Sequence, residues 1–200
     1  MPRVTDLDEP SAPNGKEVFT PGTRAEWREW LAAHPDRREG LWLVYAKKSS
    51  DLEGPRYDDL VEESLCAGWI DSQSRRVDDD RTMQWYSPRR RGGIWSASNK
   101  ARIEMLARND QITAAGWAAI DAAKADGSWS QADEVDAMIV PPDLQHAFDA
   151  APGAHVAYQA LADSAKKLLL WGIRTAKRPA TREQRIRQTI EELGSAGPQR

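Results

Sequence analysis

Trp69-Ile70-Asp71-Ser72-Gln73-Ser74-Arg75-Arg76-Val77, the acidic triplet Asp78-Asp79-Asp80, and Thr82-Met83-Gln84-Trp85-Tyr86-Ser87 decide the fold class. Two extended runs separated by a charged turn read as a β-hairpin, although the alternation of apolar and polar residues is imperfect. Pro88 finishes it. Upstream, Leu41-Trp42-Leu43-Val44-Tyr45-Ala46-Lys47 follows Gly40 and is short, aromatic and β-branched, which reads as a buried strand. The expected sheet is small and antiparallel, with about three strands. That is near the minimum for independent stability, so helices must cover it.

The helices are legible on either side. Thr23 with Glu26 three residues later reads as a capping box, followed by Trp27, Trp30 and Leu31 as one apolar stripe that Pro35 ends. Asp51 to Pro55 reads as a loop. From Asp58 a second helix carries Leu60, Val61, Ser64, Leu65 and Gly68 on one side, with Glu62 and Glu63 on the other. A third begins near Ser96 with Ile103 and Leu106 in its stripe, broken by Asn109-Asp110. Thr113 to Ala125 is an alanine-rich helix stopped by Gly127.

An acidic linker then runs to Pro141-Pro142, after which the pattern is purely helical. Leu144 and Phe148 mark one helix, Val156 to Leu161 a second, and Leu168 to Ile173 a third. Thr181 with Gln184 reads as the cap of a fourth, carrying Ile186, Ile190 and Leu193. The expected organisation is a disordered leader over 1–15, rich in Pro, Asp and Glu, an α+β domain over 16–137 and a helical module over 138–197.

Composition narrows the function classes. The 200 residues carry a net charge of only -3, which argues against a dedicated nucleic-acid binder. The charge is uneven: residues 101–150 hold three basic and nine acidic groups, residues 151–200 nine basic and four acidic. Cys66 is the single cysteine, so no intrachain disulfide forms. The apolar runs are far too short for a membrane span, and the first residues lack the apolar stretch of a signal peptide, so no membrane insertion and a cytoplasmic location are expected. His34, His146 and His155 lie far apart without metal-ligand spacing, and no glycine-rich phosphate loop occurs; neither metal nor cofactor is expected.

Pro88-Arg89-Arg90-Arg91-Gly92-Gly93-Ile94-Trp95-Ser96-Ala97-Ser98-Asn99-Lys100 is the most informative stretch. Arginine forks beside a helix start would hold a carboxylate or phosphate, and neighbouring tryptophans would stack a flat ligand. Arg89, Arg90, Trp95, Ser96, Asn99 and Lys100 are therefore the candidate ligand-binding residues. The alternative is that Ser96 merely caps its helix while the arginines are solvated or pair with Asp78, Asp79 and Asp80. Asp71, at the start of a strand, reads either as a general base or as a structural partner of Arg75 or Arg89. Cys66 reads as a small buried apolar residue, since the end of a helix raises a thiol pKa. The basic run from Lys177 through Arg187 reads as a solvated helix face, or else as a surface for an anionic partner.

Several of these stretches carry a family resemblance. Trp42-Leu43 with Lys47-Lys48, Tyr57, Cys66-Ala67-Gly68-Trp69-Ile70-Asp71, Pro88-Arg89, Trp95-Ser96 and Asn99-Lys100 resemble the N-terminal part of the YdeI/OmpD-associated proteins. The tail resembles their small helical module through Pro141-Pro142-Asp143-Leu144, Trp171, Ala176-Lys177-Arg178 and Thr181-Arg182-x-x-Arg185-Ile186. The resemblance spans roughly 18 to 194. It implies bacteriocin protection and association with an outer-membrane porin, and it brings no reaction or catalytic residues. Gly93 departs from the family, where a polar residue often precedes the tryptophan.

The expectation is a cytoplasmic bacterial binding protein linked to envelope or antimicrobial stress, holding an anionic small molecule or an acidic protein group. Two alternatives stand beside it. One is an enzyme acting on an anionic substrate, with Asp71 as base and Arg89 as clamp. The other is weak nucleic-acid binding through the basic C-terminal helix.

Overall fold

The structure is a computed structural model that describes residues 1–176 and 178–195. Lys177, and the end of the helical module expected at 196–197, lie outside the described residues. The described chain is α+β. Its strands are β1 (Val18–Phe19), β2 (Leu41–Ala46), β3 (Trp69–Arg76) and β4 (Arg81–Pro88). Its helices are α1 (Arg24–Ala33), α2 (Tyr57–Cys66), α3 (Ala97–Arg108), α4 (Ala114–Ala125), α5 (Asp133–Asp136), α6 (Pro142–Ala150), α7 (Pro152–Ala160), α8 (Asp163–Arg174) and α9 (Pro179–Ser195). They divide into two compact units, Met1–Ser130 and Gln131–Arg200.

In the first unit the sheet has four strands in the order β1-β2-β4-β3. The hairpin forms as expected, with Asp71 opposite Tyr86, and a register shift between Asp71 and Ser74 accounts for the imperfect alternation. The strand absent from the sequence reading is β1, parallel to β2. It is two residues long, too short for any period to show.

β2 is buried along its whole length because both faces of the sheet are covered. One face presents Leu41, Leu43, Trp69 and Tyr86 to a core shared with Trp27, Leu60, Leu65, Trp95, Ile103 and Ile120. The opposite face carries Trp42, Val44 and Met83, packed with Ala12, Val18, Val77 and Trp85. Part of that cover comes from residues 1–15, expected to be a disordered leader. Val4 is fully buried, its N–H donating to the Glu53 carbonyl at 2.8 Å, and Gly54 leaves the room that it fills. One well-placed apolar residue anchors a segment that composition alone marks as unstructured.

The helix starts follow their capping residues. Thr23, Ser96 and Thr113 accept from the backbone N–H groups of Glu26, Asn99 and Gly116. Glu26 reaches back to the Gly22 N–H. One expectation fails on α2: Glu63, assigned to the solvent side with Glu62, is 2% exposed. Its carboxylate is clamped by Arg24 and Arg28 of α1, which removes the cost of burying it.

The second unit is helical around Val135, Leu144, Phe148, Tyr158, Leu170, Ile173 and Leu193. The acidic stretch read as linker forms α5, because Val135 supplies an apolar anchor. The last helix starts at Pro179, two residues before the expected Thr181 cap, since proline is well suited to a first helical position. The basic residues of α9 are partly consumed at home. Arg182 grips Asp143 with two hydrogen bonds, and Arg185 donates to the Gly172 carbonyl near the end of α8.

Candidate functional site

The antiparallel pairing of β2 with β4 brings the start of one strand beside the end of the other. The parallel pairing of β1 with β2 adds the residues before Val18 to the same end. A hollow of about 430 Å³ opens there, large enough for a small-molecule ligand. Its charged lining is Lys16, Arg38, Arg89 and Arg90 against a single acid, Glu39. Trp85 supplies an aromatic wall. Gly40 sits where a Cβ would run into the Trp85 ring and the Tyr86 carbonyl, so the wall closes only because the side chain is absent.

Arg89 is the unusual member. Its guanidinium lies over the Trp95 ring, Cζ to ring centroid 3.4 Å, and its Nη1 donates to the Ile94 carbonyl at 3.1 Å. Nε and Nη2 are buried and have no hydrogen-bond partner. Those two N–H groups share one edge of the guanidinium, the fork that matches both oxygens of a carboxylate or phosphate. Burial pushes the Arg89 pKa down from 12.5 to about 10, and the charge of Asp71 offsets this only in part. The side chain remains charged at neutral pH.

Two of the three acids that could have quenched the arginine run are engaged elsewhere. Asp78 pairs with Arg81 and Asp79 with Arg76. Asp71 pairs with neither Arg75 nor Arg89; it accepts from Tyr57 Oη at 3.0 Å and from Gln84 Nε2. Gln84 in turn accepts from Tyr45 Oη at 2.9 Å, so Asp71 ends a chain of side-chain hydrogen bonds. Burial, with the Asp71 charge and hydrogen bond, pushes Tyr57 up to about 12. Asp71 does not line the hollow beside Arg89.

The expected residues thus separate into two groups. Arg89 and Arg90 line the basic hollow, and Trp95 supports Arg89 from below. Ser96, Asn99 and Lys100 do not line it: Ser96 caps α3 through the Asn99 N–H, and the Lys100 ammonium lies 5.4 Å from the Trp129 ring centre. Helix front and arginine forks do not share the hollow. Arg89, Arg90 and Arg91 also edge a small recess of about 50 Å³ with Trp95 and Asp126, where the Gly92 N–H donates to Asp126. Sequence reading missed Lys16, Arg38 and Gly40, which come from separate segments joined only by strand pairing. Arg38 beside Gly40, just before the strongest strand, was the one available signal.

Cys66 is buried beside the start of α4, and its carbonyl accepts from the Thr113 N–H and hydroxyl. Burial pushes its thiol up to about 11, which keeps it protonated and unreactive near neutrality. Among the described residues no group of histidine, cysteine and carboxylate side chains is placed to hold a metal ion. No helix among them is long and apolar enough to cross a membrane.

Two family models match the chain. Residues 19–119 match a domain of unknown function (DUF8412), and residues 137–195 match the family described as bacteriocin-protection, YdeI or OmpD-associated. The second match is confined to the helical module and does not extend over 18 to 194 as the sequence resemblance did. No curated protein and no solved structure matches. The chain belongs to the DUF8412 family, which covers half its length, and its C-terminal part is similar to the bacteriocin-protection, YdeI or OmpD-associated family.

Proposed function

We propose that this protein is a binding protein whose first unit holds an anionic group, a carboxylate or phosphate, in the hollow edged by Arg89. The observation that carries the reading is the convergence of Lys16, Arg38, Arg89 and Arg90 on one hollow with a single acid, Glu39, together with two Arg89 donors that have no hydrogen-bond partner. A buried charge without a partner is costly, and a water supplies acceptors but no countercharge. Lys16, Arg38 and Arg90 add attraction from the rim, and Trp85 offers a face to a flat ligand body. The bacteriocin-protection description of the family matched by the C-terminal segment supports linking such binding to bacteriocin or envelope-stress protection, and the proposed location is the cytoplasm.

Thermal melting with inorganic phosphate and with benzoate tests it. The melting temperature rises with anion concentration in the wild type, less in Arg38→Ala plus Arg90→Ala, and less at high salt. A melting temperature indifferent to both anions, or a rise unchanged in Arg89→Met, overturns the reading.

A further inference from the structure

A second cleft, of about 300 Å³, lies in the first unit between the C-terminal halves of α1 and α2 and the start of α4. Its walls include Leu31, Ala32, Pro35, Trp69, Ala114 and Ala115. The polar groups on its surface are nearly all satisfied within the protein. Glu63 holds Arg28 through two hydrogen bonds, and Thr113 both donates to the Cys66 carbonyl and accepts from the Gly116 N–H. The Cys66 thiol is uncharged. Gln111 sits exposed at the mouth.

His34 is the exception. Its Nδ1 lies 2.7 Å from the Trp30 carbonyl, and a carbonyl can only accept, so Nδ1 carries the proton. The neutral ring then presents Nε2 as an acceptor. Stacking on Trp30, with ring centres 4.1 Å apart, holds the imidazole in that orientation. The cleft therefore offers an apolar floor, no uncompensated charge and one oriented acceptor. Its volume sits at the lower end of the range for ligand pockets, about 300–1,000 Å³.

We infer that this cleft binds a small, neutral, aromatic molecule carrying one hydrogen-bond donor, a phenol being the simplest example, with the donor on His34 Nε2. The site is separate from the Arg89 hollow and does not rest on it.

The test is a backbone amide NMR titration of the full chain with p-cresol, toluene and benzoate. p-Cresol produces saturable shifts at Ala67, Ala114 and Ala115 and binds more tightly than either comparator. Ala115→Leu and Ala32→Leu, both at exposed positions that tolerate a larger side chain, each weaken it about tenfold. His34→Phe removes the advantage of p-cresol over toluene at these three amides. Absence of saturable shifts at these amides, benzoate shifting the same amides as tightly as p-cresol, or undiminished binding in both leucine variants overturns the inference.

Discussion

Tyr86 lies near the end of β4 and Arg89 just beyond it; Tyr86 keeps one buried polar atom without a hydrogen-bond partner and Arg89 keeps two. The two cases differ in energy. Lowering the guanidinium from 12.5 to about 10 corresponds to roughly 3 kcal/mol of solvation that the protein does not return. The contact with Trp95 and the hydrogen bond to the Ile94 carbonyl offset part of this, the ring contact by about 0.5–2 kcal/mol. The Tyr86 hydroxyl carries no charge, and burial together with nearby Tyr45 and Asp71 raises its pKa far above the ordinary value. Removing it deletes an unsatisfied group and little else. Tyr86→Phe should therefore leave urea-unfolding stability unchanged or raise it by up to about 1 kcal/mol. A loss of more than that would show that the hydroxyl has a partner in solution.

At the scale of elements, α1 and α2 are joined by one buried carboxylate. Burial alone would raise the Glu63 pKa, but hydrogen bonds and charges from Arg28 and Arg24 overcome it and hold the group below 4.5. A carboxyl lower in the folded than in the unfolded chain stabilises above the unfolded pKa, and that stability is lost as pH falls through the folded value. Glu63→Gln is expected to cost about 3 kcal/mol at pH 7 and to flatten the decline of stability on acidification, both read from denaturant curves across pH. An unchanged midpoint would mean that the clamp contributes nothing. The same elements mark what the sequence could convey. Thr23, Ser96 and Thr113 announce their helices because a cap is a local event, and the hairpin is visible because strand and turn chemistry are local too. Glu63 was misplaced because its burial depends on two arginines of another helix. β1 was invisible because two residues carry no period.

For the whole molecule, the basic hollow exists only through topology. Lys16, Arg38 and Arg89 are distant in sequence and meet because β2 pairs with β1 on one side and β4 on the other. The expectation named Arg89, Arg90 and Trp95 from local composition, but it attached them to the front of α3, which the fold sets apart. The second unit has its own apolar core, drawn wholly from residues after Ser130. A fragment of residues 131–195 should therefore show a cooperative thermal transition by circular dichroism, whereas a gradual loss of helix would contradict an independent core.

Under the proposed function, Arg89 is retained at a cost in stability for an anionic ligand. Arg89→Met preserves length and apolar contact over Trp95 while removing the charge, so melting both proteins in anion-poor buffer and again with phosphate is the most direct measurement. The variant should melt no lower than the wild type without phosphate and gain nothing from it. A variant that melts well below the wild type, yet is stabilised by phosphate to the same extent, would contradict it.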